Sequence, residues 1–155
     1  MEVLLVLYLG ASLLHFTHNA EFAQDYPNLP DWVDRSSVYL TWLGITAGGV
    51  LGYVLFRLGS RVLGLIVLCL YAAAGLDGLL HYTLAPMGAH THGMNFTIWF
   101  EVVVASVLLL YLLTMATRRD RVRAPEWVDV LACLRLIRTS SGKASNKSRE
   151  LTRER

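Results

Sequence analysis

The chain has 155 residues, 54% of them hydrophobic and 17% charged, with a formal net charge of +2. The apolar residues fall in long blocks, which excludes an ordinary soluble domain and points to one membrane domain. The small net charge hides an asymmetry: from Arg118 to Arg155 eleven Lys and Arg stand against five Asp and Glu, which suits membrane topology and anionic lipid better than nucleic acid.

Four segments read as spans in chain order. The first runs from about Val3 to Phe16 and closes on His15 and Thr17. Its start, Met1-Glu2, is acidic, and no small-x-small site follows, so it reads as a retained span rather than a signal peptide. A Pro- and aromatic-rich loop, Tyr26-Pro27-Asn28-Leu29-Pro30-Asp31-Trp32, breaks the helix. The second span runs from about Val38 to Phe56, with Gly44, Gly48 and Gly52 on one face. Small residues at that spacing let helix backbones approach, within one chain, in a homo-oligomer or against another membrane subunit. The third runs from Val62 to about Leu84 and the fourth from Phe96 to about Met115. Each approaches the roughly 20 residues needed to cross hydrocarbon. Beyond them, 125–138 reads as an amphipathic helix on the cytoplasmic leaflet, with Trp127, Leu131, Leu134 and Ile137 on one stripe. Residues 139–155 read as a disordered tail. The expected organisation is therefore a four-helix transmembrane bundle over 1–117, a basic juxtamembrane segment over 118–138, and the tail.

Direction follows from the basic residues. Arg57, Arg61 and the tail place thirteen of the fourteen Lys and Arg on one side, leaving Arg35 alone on the other. The positive-inside rule makes the basic side cytoplasmic, with both termini there. A multi-pass protein of a bacterial inner (plasma) membrane is the expected setting. Cys69 and Cys133 fall at different depths, so no disulfide is expected between them.

All five histidines lie on the outer side. His15 and His18 close the first span, His81 lies near the end of the third, and His90 and His92 occupy the loop before the fourth. Asp77 and Glu101 lie inside spans, twelve residues either side of Ala89, and so at similar depth. A carboxylate facing lipid there would cost a few kcal/mol, about 2.5–3.5 on insertion scales, so both should face inward. In an unbroken helix Asp77 and His81 share a face. Inward His and carboxylate groups from separate helices build metal sites in bundles, and this mixture suits iron, zinc or copper. The expected core is His15, His18, Asp77, His81 and Glu101, with His90 and His92 closing the site or delivering metal. The loop Met87-Gly-Ala-His90-Thr-His92-Gly-Met94 would suit copper capture.

Three rivals compete with a metal. Haem b would need two facing histidines, here His15 or His18 with His81. An accessory subunit of a larger membrane complex needs no ligand at all. Transport is disfavoured, because the inner halves of the spans carry no acid, histidine or basic residue. The single HxxH, His15 to His18, falls short of the denser clusters of histidine-box oxygenases, and no nucleophile stands in a catalytic context. If the protein is an enzyme, its metal would activate water or oxygen on a lipid-soluble substrate.

Overall fold

The computed structural model describes residues 1–30 and 32–122, with side chains through Arg118. Among the described residues every regular element is helical. The helices are α1 (Glu2–Glu21), α2 (Arg35–Arg57), α3 (Arg61–Ala74), the short α4 (His81–Leu84) and α5 (His92–Val122). Tighter 3-10 turns cover Ala23–Asp25, Asp77–Leu80 and Met87–Ala89. Four stretches are long and apolar enough to cross a membrane: Glu2–Glu21, Arg35–Arg57, Arg61–Leu84 and His92–Arg118. The chain divides into two units, Met1–Ala116 and Thr117–Arg155. The packed core lies in the first. The expected amphipathic helix over 125–138 and the tail over 139–155 lie outside the described residues.

The first span is longer than its apolar run. Nothing breaks the helix after Phe16 until Phe22, so His18 and Asn19 remain helical and α1 reaches Glu21. Helix α2 starts on a capping box. The Asp34 carboxylate accepts from the Ser37 backbone N–H at 2.7 Å, and the Ser37 hydroxyl oxygen accepts from the Asp34 N–H at 3.0 Å. These bonds hold the Asp34 carboxyl below its ordinary range, the Ser37 backbone bond most of all. Leu58, Gly59 and Ser60 connect α2 to α3. Gly59 takes φ +98°, a left-handed conformation that only glycine adopts without strain.

Helices α2 and α3 then meet backbone to backbone. A Cβ on Gly64 would stand 2.5 Å from the Phe56 nitrogen, and one on Gly52 would stand 3.0 Å from the Leu68 nitrogen. Of the expected glycine face, only Gly52 is used this way. Gly44 and Gly48 have nothing within 4 Å of an added Cβ. Helices α1 and α2 are tied at both ends. Glu21 accepts from Tyr39 and pairs with Arg35 at 2.7 Å, while Glu2 accepts from Tyr53 and pairs with Arg57 at 3.0 Å.

The third span is not one continuous helix, which corrects the expectation that Asp77 and His81 share a helix face. Helix α3 stops at Ala74, Gly75 and Leu76 turn, and Asp77–Leu80 is a 3-10 segment leading into α4. The cause is local. Gly75 and Gly78 are weak helix formers. The Tyr8 hydroxyl donates to the Tyr71 carbonyl at 3.1 Å, the carbonyl that the Gly75 N–H would bond in an unbroken α-helix. Tyr8 also fills the space where any side chain at position 75 would go, 2.6 Å from an added Cβ.

The core gathers Tyr8 from α1, Leu65, Leu68, Tyr71 and Ala72 from α3, and Ala105, Leu108 and Leu112 from α5. Ile45, Tyr53 and Phe56 of α2 pack against it. Outside that core the partition is inverted relative to a water-soluble protein. Val3, Val6, Leu40, Leu70 and Leu110 are each more than 60% exposed, while Ser12, His15, Thr97 and Glu101 are buried. Apolar side chains outward and polar ones inward is the arrangement that a lipid solvent demands.

Candidate functional site

The buried polar groups come from three elements. On α1 the face that turns inward carries Tyr8, Ala11, Ser12, His15 and Phe16 at helical spacing. On α5 the inward stripe is Met94, Ile98, Glu101, Val102, Ala105 and Leu108, so Glu101 occupies a position that periodicity reserves for an apolar side chain. The 3-10 turn and α4 contribute Asp77 and His81 from the end of the third span.

These groups meet at the end of the bundle that carries the α1–α2 connection and the 85–91 loop, labelled the outer end after the positive-inside expectation. His15 Nε2 stands 3.7 Å from Glu101 Oε2, with the two side chains 2% and 0% exposed. The rings of His15 and His81 have centroids 5.7 Å apart. Between them lies the Asn19 carboxamide, whose Nδ2 is 3.0 Å from His15 Nε2 and 3.2 Å from His81 Nε2. His15, Asn19, Asp77 and His81 line one cavity of about 200 Å³, which also reaches Trp32, Ser37 and Thr41 at the outer interface.

Hydrogen bonding decides which ring nitrogen carries the lone pair. The Asn19 amide nitrogen can only donate, so the neutral His15 ring accepts from it with the lone pair of Nε2 and carries its proton on Nδ1, 3.5 Å from the Thr97 oxygen. That lone pair faces Asn19 and Glu101. His90 follows the same pattern: its Nδ1 donates to the Pro86 carbonyl at 3.2 Å, and its Nε2 is buried with no hydrogen-bond partner. A carbonyl holding one imidazole nitrogen while the other is left bare is how metal-binding histidines are oriented.

The carboxylates are short of partners. Both Glu101 oxygens and Asp77 Oδ1 are buried without a hydrogen bond, as is Asn19 Oδ1. Native interiors leave few such atoms, and each asks for a reason. Glu101 and Asp77 are also near enough to act on each other electrostatically.

Further rings lie towards the outer loop. His18 Nδ1 is 3.0 Å from the Tyr26 hydroxyl. The Tyr26 ring lies 4.8 Å from that of His81 and 6.3 Å from that of His90. Burial pushes the Tyr26 hydroxyl above its ordinary pKa, so it keeps its proton. Asn95 staples the outer hairpin: its amide nitrogen donates to the carbonyls of Met87 and His90, and its oxygen accepts from Tyr82.

Of the seven residues expected from sequence, the structure gathers His15, His81, Asp77 and Glu101 most closely. His18 and His90 flank them through Tyr26, and His92 is exposed at the start of α5. The outer loop does not converge: Met94 is buried, with its sulfur accepting from the Thr91 N–H at 3.4 Å, whereas Met87 is 46% exposed. Among the described residues, no three His, Cys, Asp or Glu groups stand close enough to hold one metal ion as they lie. The Asn19 amide separates the imidazoles. Sequence reasoning missed Asn19, Tyr26 and Thr97. Asn19 was findable, four residues after His15 and therefore on its face. Comparison with protein-family models, curated proteins and solved structures finds no match.

Proposed function

We propose that this chain is a four-helix membrane bundle that binds a divalent first-row transition ion at the outer end of its core, held by His15, His81, Glu101 and Asp77. The observation that carries the reading is the convergence of two imidazole nitrogens on one point beside a wholly buried carboxylate that lacks partners. The Asn19 N–H groups meet the two imidazole lone pairs and leave the Glu101 oxygens uncompensated beside them, where a cation would be attracted. An ion takes imidazole nitrogens at about 2.0–2.1 Å. That is shorter than the 3.0 and 3.2 Å that now separate the two ring nitrogens from the amide between them, so the rings would have to draw in around an ion. Nitrogen and oxygen donors without sulfur favour zinc, iron or manganese over cuprous ion. Bound between imidazoles and carboxylates, such an ion would act as a Lewis acid towards water or a small polar molecule reaching it from the interface.

A haem b reading has less room. The cavity of about 200 Å³ beside His15 and His81 is below the roughly 300–1,000 Å³ of ligand pockets. On topology, the distribution of Arg and Lys supports cytoplasmic termini and an outer-facing site in a bacterial plasma membrane. An accessory role, with Gly44 and Gly48 of α2 against another membrane subunit or a second copy, is the reading left if no ligand binds.

The test is elemental analysis and an absorption spectrum of the purified full chain. Stoichiometric zinc, iron or manganese that falls sharply in His15→Ala and His81→Ala supports the proposal. A Soret band in the wild type would replace it with haem. Equal, near-zero metal in all three proteins without a Soret band would remove both.

A further inference from the structure

The carboxamide at the centre of the cluster turns its nitrogen to the two imidazoles. That nitrogen stands 3.0 Å from His15 Nε2, and since an amide nitrogen only donates, that Nε2 presents its lone pair. The same nitrogen donates its second hydrogen to His81 Nε2 at 3.2 Å. Asn19 therefore uses both donors between the two imidazoles, and its carbonyl oxygen is left buried without a partner. An amide presenting N–H groups at that point cannot coexist with a cation bound by both rings. The terminal torsion of an asparagine is broad and close to two-fold, so exchanging nitrogen for oxygen costs little. After that turn the orphaned oxygen points at the ion and the N–H groups point away.

From this we propose that Asn19 is the gate and an exchangeable ligand of the ion site: its nitrogen bridges His15 and His81 until an ion enters, and its carbonyl oxygen then joins the coordination sphere. The proposal rests on the metal-binding reading and adds a selectivity. A neutral carbonyl oxygen beside two imidazoles and a carboxylate makes a borderline-to-hard site, which takes a divalent ion in preference to a soft monovalent one. The turn also removes two hydrogen bonds that hold the rings together, so the outer end of α1 and α4 are linked through the amide in one state and through the ion in the other.

The experiment titrates Co²⁺ into the metal-stripped full chain in detergent micelles and records the visible d–d spectrum. Wild type, Asn19→Ala and Asn19→Asp are compared, with His15→Ala as the control that removes the site. Expected are a changed spectrum in Asn19→Ala, marking loss of an oxygen ligand, and affinity lower by about 10-fold or more. Asn19→Asp supplies an anionic oxygen, and is expected to bind more tightly than wild type and to keep a wild-type-like spectrum. It also guards against Asn19→Ala failing to fold. If wild type binds Co²⁺ and His15→Ala does not, but both Asn19 variants match wild type in spectrum and affinity, the gate proposal is overturned while the metal site stands. If wild type binds no Co²⁺, zinc or iron, both fall together.

Discussion

Replacing Glu101 by leucine should stabilise the metal-stripped protein and abolish its response to metal. The wild-type carboxyl is fully buried with neither oxygen hydrogen-bonded. A buried polar group left unsatisfied costs about 1–3 kcal/mol. Its compensations are the His15 contact at 3.7 Å and the buried Ser12 hydroxyl that also acts on it, and polar contacts between helices in a membrane average about 0.6 kcal/mol each. A change of shape at similar volume costs below about 1.5 kcal/mol. The flanking stripe of Ile98, Val102 and Ala105 is already apolar and fully packed. The expected net change is a gain of up to about 1 kcal/mol, at most several-fold in the folded-to-unfolded ratio. Reversible unfolding in mixed micelles with increasing SDS, followed by helical circular dichroism, measures it. Added zinc at about 100 times its Kd should then stabilise wild type by about 2.7 kcal/mol and leave the variant unmoved. A Glu101→Leu protein less stable than wild type without metal would refute the reasoning, because the carboxyl would then be an internal structural partner rather than a waiting ligand.

Further expectations concern the scaffold. Gly64→Ala places a Cβ 2.5 Å from the Phe56 backbone nitrogen, which cannot yield as a side chain would, so a loss of about 1–3 kcal/mol is expected in the same unfolding assay. Gly48→Ala, with nothing within 4 Å, should instead gain about 0.5–1 kcal/mol from helix propensity; a loss of that size would show that this face is packed against something. The Asp34 carboxyl is held below its ordinary pKa by Ser37, so its contribution is present above its unfolded pKa and is lost as pH falls through the folded one. Wild type and Asp34→Asn should accordingly differ at neutral pH and converge under acid; a gap that stays constant with pH would contradict the capping role. For topology, single cysteines placed at His92 and Arg118 in a cysteine-free background should react with an impermeant maleimide from outside and from inside the cell, respectively. The reverse pattern would invert the orientation.

What the sequence made legible follows from its strongest physical signals. Four apolar blocks predicted four helices capable of crossing a membrane, because hydrocarbon thickness sets their length. Inward placement of Glu101 followed from the cost of a charge in lipid. The break after Ala74 was less accessible. Gly75 and Gly78 hint at it, but its decisive partner is Tyr8, distant in sequence and visible only once α1 packs beside α3. Within the chain the glycine face meets a neighbouring backbone at Gly52, and Gly44 and Gly48 stay open, since periodicity cannot say which part of a face meets which neighbour. Asn19 escaped attention because an asparagine carries no charge and announces no ligand. Its meaning comes from the two rings that arrive on either side.

The interruption of the third span also sets where Asp77 points. Seven residues make about two turns of an unbroken α-helix, so straight continuation would stack Asp77 above Leu70 and Leu63. Both of these are more than half exposed on the outer surface of the protein. The acid would then have faced the acyl chains. Re-phasing the chain at Gly75 lets the lower part of the span keep its greasy exterior while the upper part turns its acid and imidazole to the cavity.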